Sequence, residues 1–241
     1  MNKKIALFVV SLFFISCTSC VSFPWASSDH TYPTESFVKM QTYLDDQQVT
    51  SGSGSVIQQT KRGTIVLTAG HICVNPRLDL ISTVEGKEIS LKAHGQDTEI
   101  ITADIDIDVC LVKVEKGLRS VSPLAISHDG PKMQEAHFTV SSPAGVADTD
   151  TGLVGMFEGL FIGDTEILDL ERSVFSIPST GGSSGAPIVN ENNAIVSITT
   201  HGDQRFEHMT IGPKWDDFYA FVAEAMIPYS EEFTKEEHIQ D

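Results

Sequence analysis

Thr64-Ile65-Val66-Leu67-Thr68-Ala69-Gly70-His71 is a run of apolar and β-branched residues that breaks on Ala-Gly and ends in a histidine. Such residues pack well on a pleated surface, and the small pair after them lets the chain turn sharply. The stretch therefore reads as a short strand, Thr64 to Thr68, that delivers a histidine to a turn. The same pattern recurs on both sides, at Phe37 to Tyr43, Gly54 to Gln58, Glu88 to Ala93, Val109 to Val114, Ala136 to Ser141, Leu153 to Ile162, Ser173 to Ile177, Ala186 to Val189 and Ala194 to Thr199. Lys61-Arg62-Gly63 and Asn190-Glu191-Asn192-Asn193 have the composition of hairpin tips between such strands. Many short strands separated by Gly, Asp and Asn predict an all-β sandwich or barrel rather than a βαβ fold. A single helical pattern stands apart. From Lys214 to Met226 the residues Trp215, Phe218, Phe221, Val222 and Met226 recur at three- and four-residue spacing, with Pro213 where a first-turn proline sits.

The ends of the chain read differently from its middle. Lys3 and Lys4 precede an apolar run from Ile5 to Ile15 that only Ser11 interrupts, the length of a signal segment and too short to span a bilayer comfortably. Residues 1–20 are therefore expected to direct export, 21–35 to form a Ser-, Pro- and Thr-rich linker, 36–229 to form the folded domain and 230–241 to form an acidic tail. Phe14-Ile15-Ser16-Cys17 resembles a bacterial lipobox, although leucine is usual where Phe14 stands. Two outcomes stay open: a lipoprotein held at the membrane through Cys17, or a freely secreted or periplasmic protein. The formal charge of −17 and the absence of a basic stripe argue against nucleic acid as a partner.

Two further motifs follow the histidine in order. Asp108-Val109-Cys110-Leu111-Val112-Lys113-Val114 is an aspartate that opens an apolar strand, and Gly182-Ser183-Ser184-Gly185-Ala186-Pro187 places a serine among glycines. Asp104 and Asp106 also precede that strand, but the apolar run begins directly after Asp108. These residue types share one chemistry. A serine hydroxyl is a weak nucleophile and needs a base. Histidine titrates near neutrality and can take the proton and return it. A buried carboxylate fixes the histidine tautomer and stabilises its cation. Glycines beside the serine allow the N–H groups of Gly182 and Ser184 to face a developing oxyanion.

With these residues the chain resembles the chymotrypsin-like (trypsin-like) serine peptidases, from Gly52 to about Pro213. Thr-Ala-Gly-His stands for that family's Thr-Ala-Ala-His, Asp-Val-Cys-Leu for Asp-Ile-Ala-Leu, and Gly-Ser-Ser-Gly-Ala-Pro for Gly-Asp-Ser-Gly-Gly-Pro. Gly52-Ser53-Gly54-Ser55-Val56-Ile57 is similar to a strand of the bacterial and phage members. The resemblance implies two six-stranded β-barrels with a C-terminal helix. It also implies a serine endopeptidase with His71 as base, Asp108 as orienting acid and Ser184 as nucleophile, acting on protein or peptide substrates without a cofactor. The histidines form no ligand-spaced set that would hold a metal. The family's specificity pocket would be walled by Pro178 to Gly181 and Ser197 to His201. Trypsin's pocket aspartate falls on Pro178, so preference for Lys or Arg is not expected. Ser179 and Thr180 match the nucleophile region of bacterial glutamyl endopeptidases, but their pocket histidine falls on Thr199, with His201 two residues further on; residue preference stays open.

Ser183 replaces the aspartate that animal members use on activation, and no Ile-Val-Gly-Gly site is present. The resemblance with those departures implies an enzyme that folds directly into its active form. Cys73 and Cys110 each lie two residues beyond a proposed triad member, so the fold that joins the triad would bring them near each other. An exported protein favours a disulfide there, and two buried free thiols are the alternative. Two other functions use the same residues: a peptidase-fold lipoprotein that only binds partners, against which the intact triad argues, and an esterase.

Overall fold

The structure is a computed structural model and describes residues 31–236 apart from 61, 76–77, 80–81, 84–85, 146–153, 168 and 204–205. The segment 1–20 expected to direct export, most of the expected linker 21–35 and the end of the expected tail 230–241 lie outside the described residues. All of the described strands belong to one compact unit that begins at Tyr32.

Seven strands form the first sheet among the described residues: β1 (Phe37–Leu44), β2 (Gln47–Thr60), β3 (Gly63–Thr68), β4 (Ile89–Ala93), β5 (Gln96–Asp97), β6 (Glu99–Asp104) and β7 (Val109–Val114), in the order β5-β4-β1-β2-β3-β7-β6. Its two edges are pieces of one run of chain. β5 and β6 are separated only by Thr98, whose N–H and hydroxyl both donate to the Leu91 carbonyl, at 3.1 and 2.9 Å. The edges therefore meet and the sheet closes on itself. The second sheet repeats the device with β8 (Ala136–Ser141), β9 (Gly155–Ile167), β10 (Leu170–Phe175), β11 (Pro187–Val189), β12 (Ile195–Ile198), β13 (His201–Asp203) and β14 (Phe206–Pro213), ordered β12-β11-β8-β9-β10-β14-β13. Here Thr199 and Thr200 interrupt the closing strand, and their N–H groups bond Ala186 O on one neighbour and Ile211 O on the other. Each count of seven is thus the expected six-stranded barrel with one strand broken in two. Closure leaves no long unpaired edge.

The sequence accounts for the centre of the first barrel. β3 lies between β2 and β7, with Leu67 opposite Ser55 on one side and Leu111 on the other. Val66, Leu67, Leu111 and Val112 are all fully buried. Because β3 and β7 are antiparallel and Thr68 pairs with Cys110, the chain leaving β3 and the chain arriving at β7 share one end of the barrel. A four-residue helix, α1 (Gly70–Cys73), follows β3 there, and Cys73 and Cys110 are joined in a disulfide across 37 residues. Closing a loop of that length in the unfolded chain stabilises the fold by about 4 kcal/mol in the chain-entropy picture.

The C-terminal helix α2 (Trp215–Glu236) begins where expected but runs beyond Met226, past Pro228 and into the stretch read as tail. Asp216 and Asp217 in its first turn complement the helix dipole. Phe218 and Val222 are buried in the core that the first barrel's strands share with β12.

His137 on β8 is fully buried, with Nδ1 2.9 Å from the Glu135 carbonyl, its ring 5.3 Å from that of Phe175, and no partner for Nε2 among the described residues. A carbonyl only accepts, so Nδ1 carries the proton. Burial pushes the imidazole pKa below its ordinary 6.5, against the smaller opposing effect of the Glu135 carbonyl. The unfolded chain then binds a proton that the folded chain refuses, so this contribution to stability is complete above pH 6.5 and falls as pH drops through 6.5 toward the folded value. The denaturation midpoint is expected to decline between about pH 7.5 and 5, and His137→Leu to flatten that decline; an equal slope in both proteins would rule out His137 as the cause.

Candidate active site

The topology brings three loops together. His71 follows β3 and Asp108 precedes β7 at the same end of the first barrel. In the second barrel Pro187 pairs with Ile198, so Ser184, just before β11, lies beside the segment that follows β12, and its Oγ is 3.5 Å from Thr200 O. One residue on, His201 points its ring toward the other barrel, 5.9 Å from the ring of His71.

Asp108 is almost wholly buried, with 3% of its surface exposed, and a carboxylate there requires strong donors. His71 supplies two. Its backbone N–H donates to Oδ1 at 2.8 Å, and its Nδ1 lies 3.0 and 2.9 Å from Oδ1 and Oδ2. Burial alone would raise the Asp108 pKa, but the hydrogen bond and positive charge of His71 outweigh it and hold the carboxyl below its ordinary range. An ionised Asp108 fixes the His71 proton on Nδ1 and leaves Nε2 as the basic nitrogen. The His71 side chain is 37% exposed, open to an incoming group.

The loop carrying Ser184 is fixed by Ser53 of β2. The Ser53 N–H donates to Ser184 O at 2.7 Å, its hydroxyl donates to Gly182 O at 2.8 Å, and the Ser142 N–H donates to that hydroxyl at 2.9 Å. Two glycines make the approach possible. Gly182 (φ +92°) and Gly185 (φ +86°) are in the left-handed region, and a Cβ on either would overlap backbone, Ser142 O in the first case and Ser53 O in the second. N–H satisfaction alternates along the loop. Ser183 N–H donates to Thr180 O and Gly185 N–H to Thr199 O, whereas among the described residues the N–H groups of Gly182 and Ser184 have no acceptor. Ser183 is buried with its hydroxyl 3.5 Å from that of Ser141.

A cavity of about 320 Å³ opens beside this loop, lined by Pro143, Phe157, Pro178, Ser179, Thr180, Ser183 and His208. Ser179 and Thr180 lie on its wall. Thr199 and His201 do not. Thr199 is buried, and His201 faces Asp108 instead, Nδ1 3.7 Å from Asp108 Oδ2 and 3.1 Å from Thr200 Oγ1. The histidine that reaches the cavity is His208, on β14. It stands between Glu207 and Met209, and no pattern in the sequence singles it out. Among the described residues, no group of three or more His, Cys, Asp or Glu side chains is arranged to hold a metal.

The profile of the trypsin-like peptidase domain matches residues 52–198, more than half of the chain. The chain belongs to the trypsin-like peptidase family. It is a serine endopeptidase, and its substrates are proteins or peptides. Solved structures agree on the fold. The serine endoprotease from Yersinia pestis superposes with a TM-score of 0.59 at 13% identity, over 80% of this chain and 64% of that one. The Rv3671c protease from M. tuberculosis in its active form gives 0.57 at 16% identity, over 80% of each chain. The inactive form of Rv3671c, in a serine-to-alanine mutant, gives 0.56 at 14% identity, over 80% of this chain and 87% of that one. Among curated proteins none matches the sequence as a relative.

Proposed function

We infer that this trypsin-like peptidase cleaves peptide bonds through an acyl-enzyme on Ser184. The His71–Asp108 hydrogen bond carries the reading, because it is made at Nδ1 and leaves Nε2 unprotonated on an accessible ring. In this scheme Nε2 takes the Ser184 proton as Oγ bonds to the scissile carbonyl carbon. The proton then passes to the leaving amine as the C–N bond breaks, and a water, deprotonated by the same nitrogen, releases the acid. Asp108 stays ionised and stabilises the imidazolium. The acceptor-free N–H groups of Gly182 and Ser184 are the donors offered to the oxyanion; one such donor contributes about 3 kcal/mol to transition-state stabilisation.

The cavity of Ser179, Thr180 and His208 is the site for the side chain before the scissile bond. Among the described residues its lining holds no carboxylate, so a Lys or Arg side chain finds no anion among them. Segment 1–20 supports export, with or without a lipid on Cys17. With Ser183 buried and bonded inside its own loop, no new N-terminus is needed to order the site. Wild-type protein is expected to react with a fluorophosphonate probe without prior proteolysis, and Ser184→Ala to remain unlabelled. Equal labelling of both proteins, or a wild type inert until treated with trypsin, would overturn this reading.

A further inference from the structure

Arg172 belongs to β10 in the second barrel, yet its guanidinium reaches into the first. Nη1 donates to Ile107 O at 2.9 Å, and Nη2 donates to Asp106 O. Only 7% of the residue is exposed. Among the described residues it forms no ion pair. A buried cation is retained at considerable desolvation cost, so the place where its donors go is informative. These go to the two carbonyls immediately before Asp108.

The turn they hold is fastened from its other side as well. Asp104 Oδ1 accepts the N–H groups of Asp106 and Ile107, at 2.9 and 3.1 Å. The donors of the turn are thus tied to Asp104 and its carbonyls to Arg172. Asp108 follows with φ +61°, a left-handed conformation that a residue with a Cβ adopts only when its surroundings impose it. That conformation aims the carboxylate at the N–H and Nδ1 of His71 together.

We propose that Arg172 is a positioning residue: its guanidinium fork fixes the turn that aims Asp108 at His71. The proposal rests on the triad reading above. It assigns to the second barrel a part in placing the acid, in addition to supplying the serine. Arg suits the task where Lys would not, since a planar fork meets two adjacent carbonyls and an ammonium meets them as a point charge.

Arg172→Met is expected to lower kcat about 100-fold with little change in KM, the loss typical of misplacing a catalytic group by about an ångström. Arg172→Lys is expected to recover part of that loss. The low-field proton resonance of His71 Nδ1–H, held against the Asp108 carboxylate, is expected to shift or broaden in both variants. In an Asp108→Asn background, Arg172→Met is expected to have no further effect on the rate of phosphonylation of Ser184, because the residue it serves is gone. A structural role alone would instead reduce the rate by the same factor in both backgrounds. The proposal is overturned by a folded Arg172→Met with parental kcat and an unmoved resonance, or by equal losses with and without Asp108. If Arg172→Met does not fold, Arg172→Lys carries both readouts, and parental values there overturn it too. A wild type that fails to label at Ser184 removes the triad reading itself, an outcome separate from these.

Discussion

Ser184→Ala is expected to lower kcat/KM on a peptide substrate by about a millionfold, the loss seen when a serine peptidase is deprived of its nucleophile. The same change is expected to leave the melting temperature within a few degrees of the parent. Among the described residues the Oγ atom makes one long hydrogen bond, 3.5 Å to Thr200 O, whereas the loop around it is held through backbone groups and the Ser53 hydroxyl. Removing one hydroxyl with so weak a bond forfeits about 1 kcal/mol or less. The contrast between a vanishing rate and an intact fold is the result to look for. A variant retaining a tenth of parental activity would exclude Ser184 as the nucleophile.

Asp108→Asn is expected to reduce kcat about ten-thousandfold with KM nearly unchanged. The carboxamide oxygen can still accept the His71 backbone N–H, but the –NH₂ then faces Nδ1 and donates to it. The imidazole must move its proton to Nε2 and can no longer act as a base. The substitution also changes the acid stability of the fold. Asp108 has a folded pKa below its unfolded one, so the stability it contributes is present above the ordinary carboxylate range and is lost as pH falls through the folded value. Asparagine does not titrate, and the acid limb of the unfolding curve is expected to become shallower. A loss of less than tenfold in kcat would show that Asp108 does not orient the base.

Much of this architecture is legible in the chain itself, and the exceptions have a physical pattern. β3 and β7 stand out because they are central and buried on both faces, which makes them continuous apolar runs between turns. The strands with no sequence signature are β5, β6, β13 and β14, and all but β14, which lies between β10 and β13, are pieces of the strands that close the barrels. Glu99-Ile100-Ile101-Thr102-Ala103-Asp104 has no fully buried residue, and the aspartates at 104, 106 and 108 crowd its end with turn formers, so no apolar contrast marks it.

The site divides along the same line. His71, Asp108 and Ser184 each sit in a local string whose residue types declare their chemistry. Ser53, Arg172 and His208 do not, because what each contributes is a contact with a distant segment, 129 residues away for the Ser53 hydroxyl and Gly182. His201 shows the reverse. Its place just after the strand that neighbours Ser184 pointed to the pocket, but β13 turns its side chain toward Asp108.

The two fastenings across the cleft, Ser53 to the Ser184 loop and Arg172 to the acid's turn, have a consequence for the life of the molecule. On the proposed triad, neither half of the chain owns a working set of groups, and each half holds in place a piece belonging to the other. A molecule with one barrel formed and the other still loose would then have no means of cutting anything, itself included. Destructive power would arrive only with the last act of assembly.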